Sequence, residues 1–199
     1  MAIIGLSKPF FAKYNANNGN PTYTDGGSMG KLTEVNVKIE STEDNKFHAD
    51  NAVAESETTF KNGSLTLSPD DLSPEVSAAI LGIVTQAITD IDGVTDKDVV
   101  ELIFDDDQAS PYLGIGFIIK KQKDQVNKWR AIVLTKVVFS IPPDAAVTQG
   151  ETIEWQVPEL TAAIMRDESP KRRWKREATF STEDQAVAYI KARLNITAA

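Results

Sequence analysis

The stretch from Asp105 to Ser140 sets the tightest limit on how this chain can fold. It holds two long runs of β-branched, aliphatic and aromatic residues, Tyr112–Lys121 and Trp129–Ser140, around a charged polar connection at Gln122–Lys128. Two such runs flanking a short polar segment predict a β-hairpin. Both runs are apolar on both faces over part of their length, at Ile115–Ile119 and Ile132–Val138. A strand with two apolar faces has to be covered on both. The hairpin is therefore expected at the centre of a sheet, with other strands and helices built around it.

The flanking segments fit such a sheet. Residues 1–30 begin with Ile3, Ile4, Leu6, Phe10, Phe11 and Tyr14. They then become dense in turn formers (Asn15, Asn17, Asn18, Gly19, Asn20, Pro21, Gly26, Gly27, Gly30), so mostly loop is expected. Lys31–Ile39 alternates, with Thr33, Val35, Val37 and Ile39 opposite Glu34, Asn36 and Lys38, the pattern of a half-solvated strand. Glu40–Thr58 is acidic and polar with no clear period. A connection that long is usually functional or disordered. Alternation returns in Thr59–Ser68, with Leu65 and Leu67 against Ser64, Thr66 and Ser68, and the Asn62–Gly63 pair suggests a bulge or tight turn.

Ser73–Gly82 reads as a short helix: Ser73 caps, Pro74 suits the first position and Gly82 the stop. Leu72, Val76, Ala79, Ile80 and Ile83 form its apolar stripe. Residues 84–98 carry no assignable pattern, and Val99–Phe104 is a compact strand ending in the acidic run Asp105–Asp107. Pro142–Pro143 breaks the sheet, and Thr152–Val157 and Leu160–Met165 are further strands. A helix over residues 183–194 closes the chain, with Thr182 and Gln185 at capping-box spacing and Ala186, Tyr189, Ile190 and Leu194 as its buried stripe. No linker or internal repeat divides residues 1–199. The expectation is one mainly β (α+β) domain with two short helices.

Composition narrows the chemistry. With no cysteine there is no disulfide framework and no thiol catalysis. No apolar run is long enough to span a bilayer as a helix, and the N-terminus does not read as a signal peptide, so a cytoplasmic product is expected. A formal net charge of −8 argues against gripping nucleic acid through a basic surface. Gly26-Gly27-Ser28-Met29-Gly30 matches the G-x-S-x-G nucleophile elbow, but the elbow needs a strand before it and a helix after it. Here a loop is expected before it and a strand after it, and His48 is the lone histidine, so no catalytic, cofactor or metal site is assigned. Asp105–Asp107 lacks calcium-loop spacing and reads as a solvated turn. The basic cluster Lys171, Arg172, Arg173, Lys175 and Arg176 around Trp174 has three readings: a phosphate contact, a solvated patch, or a partner for the acidic Glu40–Glu57 segment of another copy, in a heterologous contact that closes into rings or continues as fibres.

In their order along the chain, several short features resemble the major tail proteins of long, flexible-tailed bacteriophages. They are Gly5-Leu6-Ser7-Lys8, His48-Ala49-Asp50-Asn51, Leu65-Thr66-Leu67 with Asp70-Asp71-Leu72, Tyr112-Leu113-Gly114-Ile115-Gly116-Phe117, Lys136-Val137-Val138-Phe139, Thr148-Gln149-Gly150-Glu151 and Phe180–Ile190. The resemblance implies a β-sandwich or barrel-like tail tube fold with a flanking helix, and hexameric rings stacked into a hollow tube that conducts DNA without catalysis. It implies a virion location after synthesis in the host bacterial cytoplasm. Partners would be the chain itself and other tail proteins, with transient DNA passage and no membrane. On that basis residues 1–15 are expected to be an arm that orders on assembly, and 40–58 a long assembly loop. Intersubunit contacts are expected at Glu43, Asp44, His48, Asp50, Asn51, Arg172, Arg173 and Lys175, and a lumen-facing surface at Glu34, Asn36, Lys38, Ser64 and Thr66. The alternatives are another ring-forming tail component, such as a terminator or baseplate ring, and a β-sandwich module that binds carbohydrate or protein. In that module Trp129, Trp155 and Trp174 would supply a stacking platform.

Overall fold

The computed structural model describes residues 2–42, 45–49, 52–57, 59–88, 91–93, 99–144, 146, 148 and 157–197, with backbone alone for 45–49 and 52–57. The strands are β1 (Ala2–Asn17), β2 (Asn20–Ser28), β3 (Leu32–Ser41), β4 (Asn45–Ala49), β5 (Ala52–Glu57), β6 (Phe60–Pro69), β7 (Val84–Ala87), β8 (Val100–Ile103), β9 (Leu113–Lys123), β10 (Val126–Phe139), β11 (Leu160–Met165) and β12 (Lys175–Phe180). The helices are α1 (Pro74–Leu81) and α2 (Glu183–Arg193).

The expected central hairpin is β9–β10. Its turn is two residues long, because Asp124 and Gln125 both adopt left-handed φ (51° and 63°), the geometry of a type I′ connection. The strands therefore run further than the sequence pattern indicated. Gln122, Lys123 and Val126–Lys128 form the end of the ribbon, which projects past the core and so shows no apolar alternation.

The main sheet is antiparallel, in the order β2-β1-β9-β10-β11-β6-β3, with β12 as an eighth strand beside β10. One edge of β10 follows β9. Its other edge is shared: Trp129–Leu134 pair with β12, and Lys136–Phe139 pair with β11. The register slips between Leu134 and Val137, where β10 changes partner. The sheet curls, so that Phe11 of β1 and Leu65 of β6, four places apart, share one core. Leu113, Ile115, Phe117, Ile132, Leu134 and Ile164 fill that core, and Ile80 and Leu81 of α1 close it.

A second core lies on the other face. There Ala12, Tyr14, Ile118, Ala131 and Val133 pack under Ala186, Ile190 and Leu194 at the foot of α2. This is the covering that two apolar faces demand. Gly114 and Gly116 make it possible. A Cβ on Gly114 would sit 2.5 Å from Tyr23 Cε1 and 2.6 Å from Leu194 Cδ2, and one on Gly116 would collide with Ile190 Cγ2.

Both helices follow the sequence signals. Ser73 Oγ accepts from Val76 N, and Gly82 stops α1 at φ 68°. Thr182 Oγ1 accepts from Gln185 N, although Gln185 Oε1 takes its own bond from Ser181 Oγ and does not close the box.

Two expectations are corrected. Residues 2–28 are a long hairpin, β1–β2, rather than loop: Asn18–Gly19 is its turn, β1 pairs with β9 from Ala2 onward, and Phe10, Phe11, Ala12 and Tyr14 are core. β1 escaped notice because its buried run faces both cores at once and so does not alternate. Within 40–58, β4 and β5 pair as a hairpin instead of forming an aperiodic loop. In the unassigned 84–98 segment, Val84–Ala87 is a strand on β8. The strand expected at Thr152–Val157 lies outside the described residues, except for Val157.

Candidate functional site

Three surfaces concern the residues proposed for assembly. The first is the polar face of β3, β6 and β11. Register places Glu34 opposite Ser68, Asn36 beside Thr66 and Thr161, and Lys38 beside Ser64 and Ala163. Opposed residues in an antiparallel sheet share a face. All five proposed lumen residues therefore lie on one surface, while Val35, Val37, Leu65, Leu67, Leu160 and Ile164 point to the core. Glu34, Asn36 and Lys38 are exposed; Ser64 and Thr66 are half-buried among their neighbours. The bulge or turn expected at Asn62–Gly63 is a register shift between Phe60 and Asn62, and Gly63 beside it serves packing: a Cβ there would meet Ile39 Cδ1 and Lys38 O, both at 2.9 Å.

The outer edge of β3 has no partner strand among the described residues, and no proline interrupts Leu32–Ser41. The opposite edge, β2, carries Pro21 and a register shift around Asp25, which has φ 48°. Prolines and bulges blunt an edge against further pairing. The β2 edge carries both devices; the β3 edge carries register shifts near its two ends but no proline, and Glu34–Glu40 stay in continuous register with β6.

The second surface is the acidic excursion. Thr42 N donates to Thr59 O (2.8 Å) and Thr59 N to Thr42 Oγ1 (3.1 Å), so the stem continues the β3–β6 ladder. Beyond it β4 and β5 pair with each other, and His48 stands in β4 opposite Val53 by backbone register. Glu43, Asp44, Asp50 and Asn51 lie outside the described residues.

The third surface is basic. Buried Asp167 organises the loop that carries it: Oδ1 accepts from Ser169 N (3.1 Å), Ser169 Oγ (2.5 Å) and Arg173 N (2.8 Å), and Thr135 Oγ1 donates to Arg173 O. Asp167 Oδ2 is buried with no partner among the described residues. This frame holds Arg172 exposed at φ 46° beside exposed Lys171. Of the proposed contact residues, Arg173 turns to Ser169 Oγ (3.3 Å) and Lys175 to Glu177 (2.6 Å). Hydrogen bonds from Lys175 and then Arg130 hold the Glu177 carboxyl below its ordinary range. Trp174 stacks on Phe60 at 4.7 Å, and the Arg166 guanidinium sits over Phe60 and donates to its carbonyl. These residues border an open groove of about 400 Å³.

The sequence reading missed a buried cation. Lys136 is 7% exposed, lies 4.3 Å over Tyr112 and 5.0 Å over Tyr14, and pairs with Glu168 at 3.0 Å. Tyr14 Oη accepts from Glu168 N. The one sequence signal was a lysine inside an otherwise apolar run. Nearby, Tyr23 donates to Thr135 O, and burial pushes its phenol well above the usual range, with Asp167 adding to the shift.

Trp129 packs against the α2-side core and Trp174 against the other core, so they do not form one platform; Trp155 lies outside the described residues. Ser28 of the G-x-S-x-G match is the last residue of β2, so a strand rather than the expected loop precedes it, but no helix follows, and its Oγ donates to Pro9 O. Asp105–Asp107 lie exposed around a turn.

No family model matches the chain, and no curated protein matches it. Among solved structures it is similar to a chain from the cryo-EM structure of the anti-feeding prophage baseplate, 6-fold symmetrised. The identity is 10% and the TM-score 0.36, over 92% of this chain and 99% of that one.

Proposed function

We propose that this chain is a structural protein of a phage-type tail. It assembles through hexameric rings that stack into a tube, and the tube conducts DNA. The observation that carries the reading is the pairing of an open edge strand with a polar inner candidate face. Between its register shifts β3 offers Glu34–Glu40 as a regular edge without proline, and strand addition there would join one copy's sheet to the next. The joined sheet would present Asn36, Thr66, Ser64 and Thr161 as a continuous wall in which Glu34 and Lys38 are the charges. Such a wall makes few phosphate contacts, so DNA would not be held by counterion release. The ordered likeness to flexible-tail phage subunits supports the same reading.

In this proposal the chain acts in the virion with other tail proteins, carries no catalysis, and uses the 40–58 excursion between copies. A terminator or baseplate ring would use the same edge. Negative-stain electron microscopy of the concentrated protein tests the reading. Six-fold rings or hollow tubes are expected, and deletion of Asp44–Ala54 should leave a folded chain that no longer polymerises. Normal tubes from that deletion would refute the role given to the excursion.

A further inference from the structure

The groove beside Trp174 is unusual on an acidic protein. Arg166, Lys171, Arg172 and Lys175 converge there over the Phe60–Trp174 stack. Lys175 has a carboxylate partner in Glu177; Arg166, Lys171 and Arg172 have none among the described residues. The frame is preorganised, because the three bonds to Asp167 Oδ1 and the bond from Arg172 N to Ser169 O fix the loop before anything binds. A fixed cluster of guanidinium and ammonium groups over an aromatic floor suits carboxylates.

We propose that this groove is the socket for the acidic β4–β5 hairpin of a second copy of the chain. The proposal rests on the self-assembly reading above and names its contact. From Glu40 to Glu57 the sequence is densely acidic, with Lys46 as its one lysine or arginine. Glu55 and Glu57 are two apart in β5, where their backbones pair with Phe47 and Asn45. The Thr42–Thr59 stem continues the β3–β6 ladder at the base of the hairpin. A socket and a plug on different parts of one chain make a heterologous contact, which closes as a ring or continues along a filament.

The test uses two full-length variants, Lys171→Glu/Arg172→Glu and Glu55→Lys/Glu57→Lys, in sedimentation velocity. Wild type should self-associate, and each variant alone at least about tenfold more weakly. An equimolar mixture should recover a heterodimer, because one intact socket and one intact plug remain. That recovery also shows both variants folded. Raising salt to about 1 M, where the Debye length is about 3 Å, should dissociate the contact. Wild type that stays monomeric overturns the proposal, as does a mixture as weak as its parts, the result expected if each hairpin occupied its own groove. Microscopy separates this contact from the functional reading. Tubes from Lys171→Glu/Arg172→Glu would overturn the socket and leave the tail protein. Charge-dependent dimers that never form rings would keep the socket and overturn the tail protein.

Discussion

Gly116→Ala tests how α2 is seated. The new methyl would collide with Ile190 Cγ2 and stand 3.4 Å from Leu194 Cδ1. Ile190 and Leu194 are both fully buried, so neither can swing into solvent. Gly116 has no positive φ to protect, so the backbone itself tolerates alanine. Removing a strand glycine recovers roughly 0.5–1 kcal/mol. Overpacking a closed core costs about 1–3 kcal/mol. The net is a loss on the order of 1–2 kcal/mol, or a Tm roughly 2–8 °C lower for a chain of this size. Ile190→Ala alone should cost about 2–5 kcal/mol. In the double variant the collision is gone, so the two losses should fall short of additive by about 1 kcal/mol or more. Chemical denaturation of the four proteins gives the cycle. A Gly116→Ala chain as stable as wild type, or strictly additive losses, would refute the claim that glycine is there to admit the helix.

Asp167→Ala removes the acceptor for three donors and leaves them buried, offset by relief of the unpartnered Oδ2. A loss on the order of 2–3 kcal/mol is expected by thermal unfolding. Lys136→Met keeps the aliphatic stem but removes the ammonium seated over Tyr112 and Tyr14, while half-exposed Glu168 stays solvated; a Tm decrease larger than that of an exposed lysine substitution is expected in a melt at neutral pH. Glu177 has a folded pKa below its ordinary 4.5, so its contribution is full above that value and fades as pH falls through the lowered one. Its side chain is 44% exposed, which keeps the effect below about 1 kcal/mol. Glu177→Gln should therefore melt slightly below wild type near neutral pH, and the gap should narrow as the pH falls below 4.5.

The candidate surfaces divide the same way as the fold between what is local and what is not. Alternation in Leu32–Ser41 and Phe60–Pro69 named both faces of those strands, because a period of two is a property of the strand alone. That the two polar faces align into one surface with Thr161 follows from register, which no single strand carries. The charge clusters at Glu40–Glu57 and Lys171–Arg176 were visible as composition; which cations stay outward was decided by Asp167, a residue with no pattern around it.

By itself the sequence determined the mainly β class, the capped helices and the central hairpin. Each rests on near neighbours: caps on contacts three residues apart, strands on alternation, and the doubly apolar runs on their own lack of a polar face. The tertiary structure alone decided the rest. It made β1 a wall strand whose residues feed two cores, and it split β10 between β11 and β12. It placed Gly114 and Gly116 under α2, and it sank Lys136 between two tyrosines. These features arise from contacts between residues far apart in the chain, where the free energy of burial and pairing overrides what each segment prefers alone.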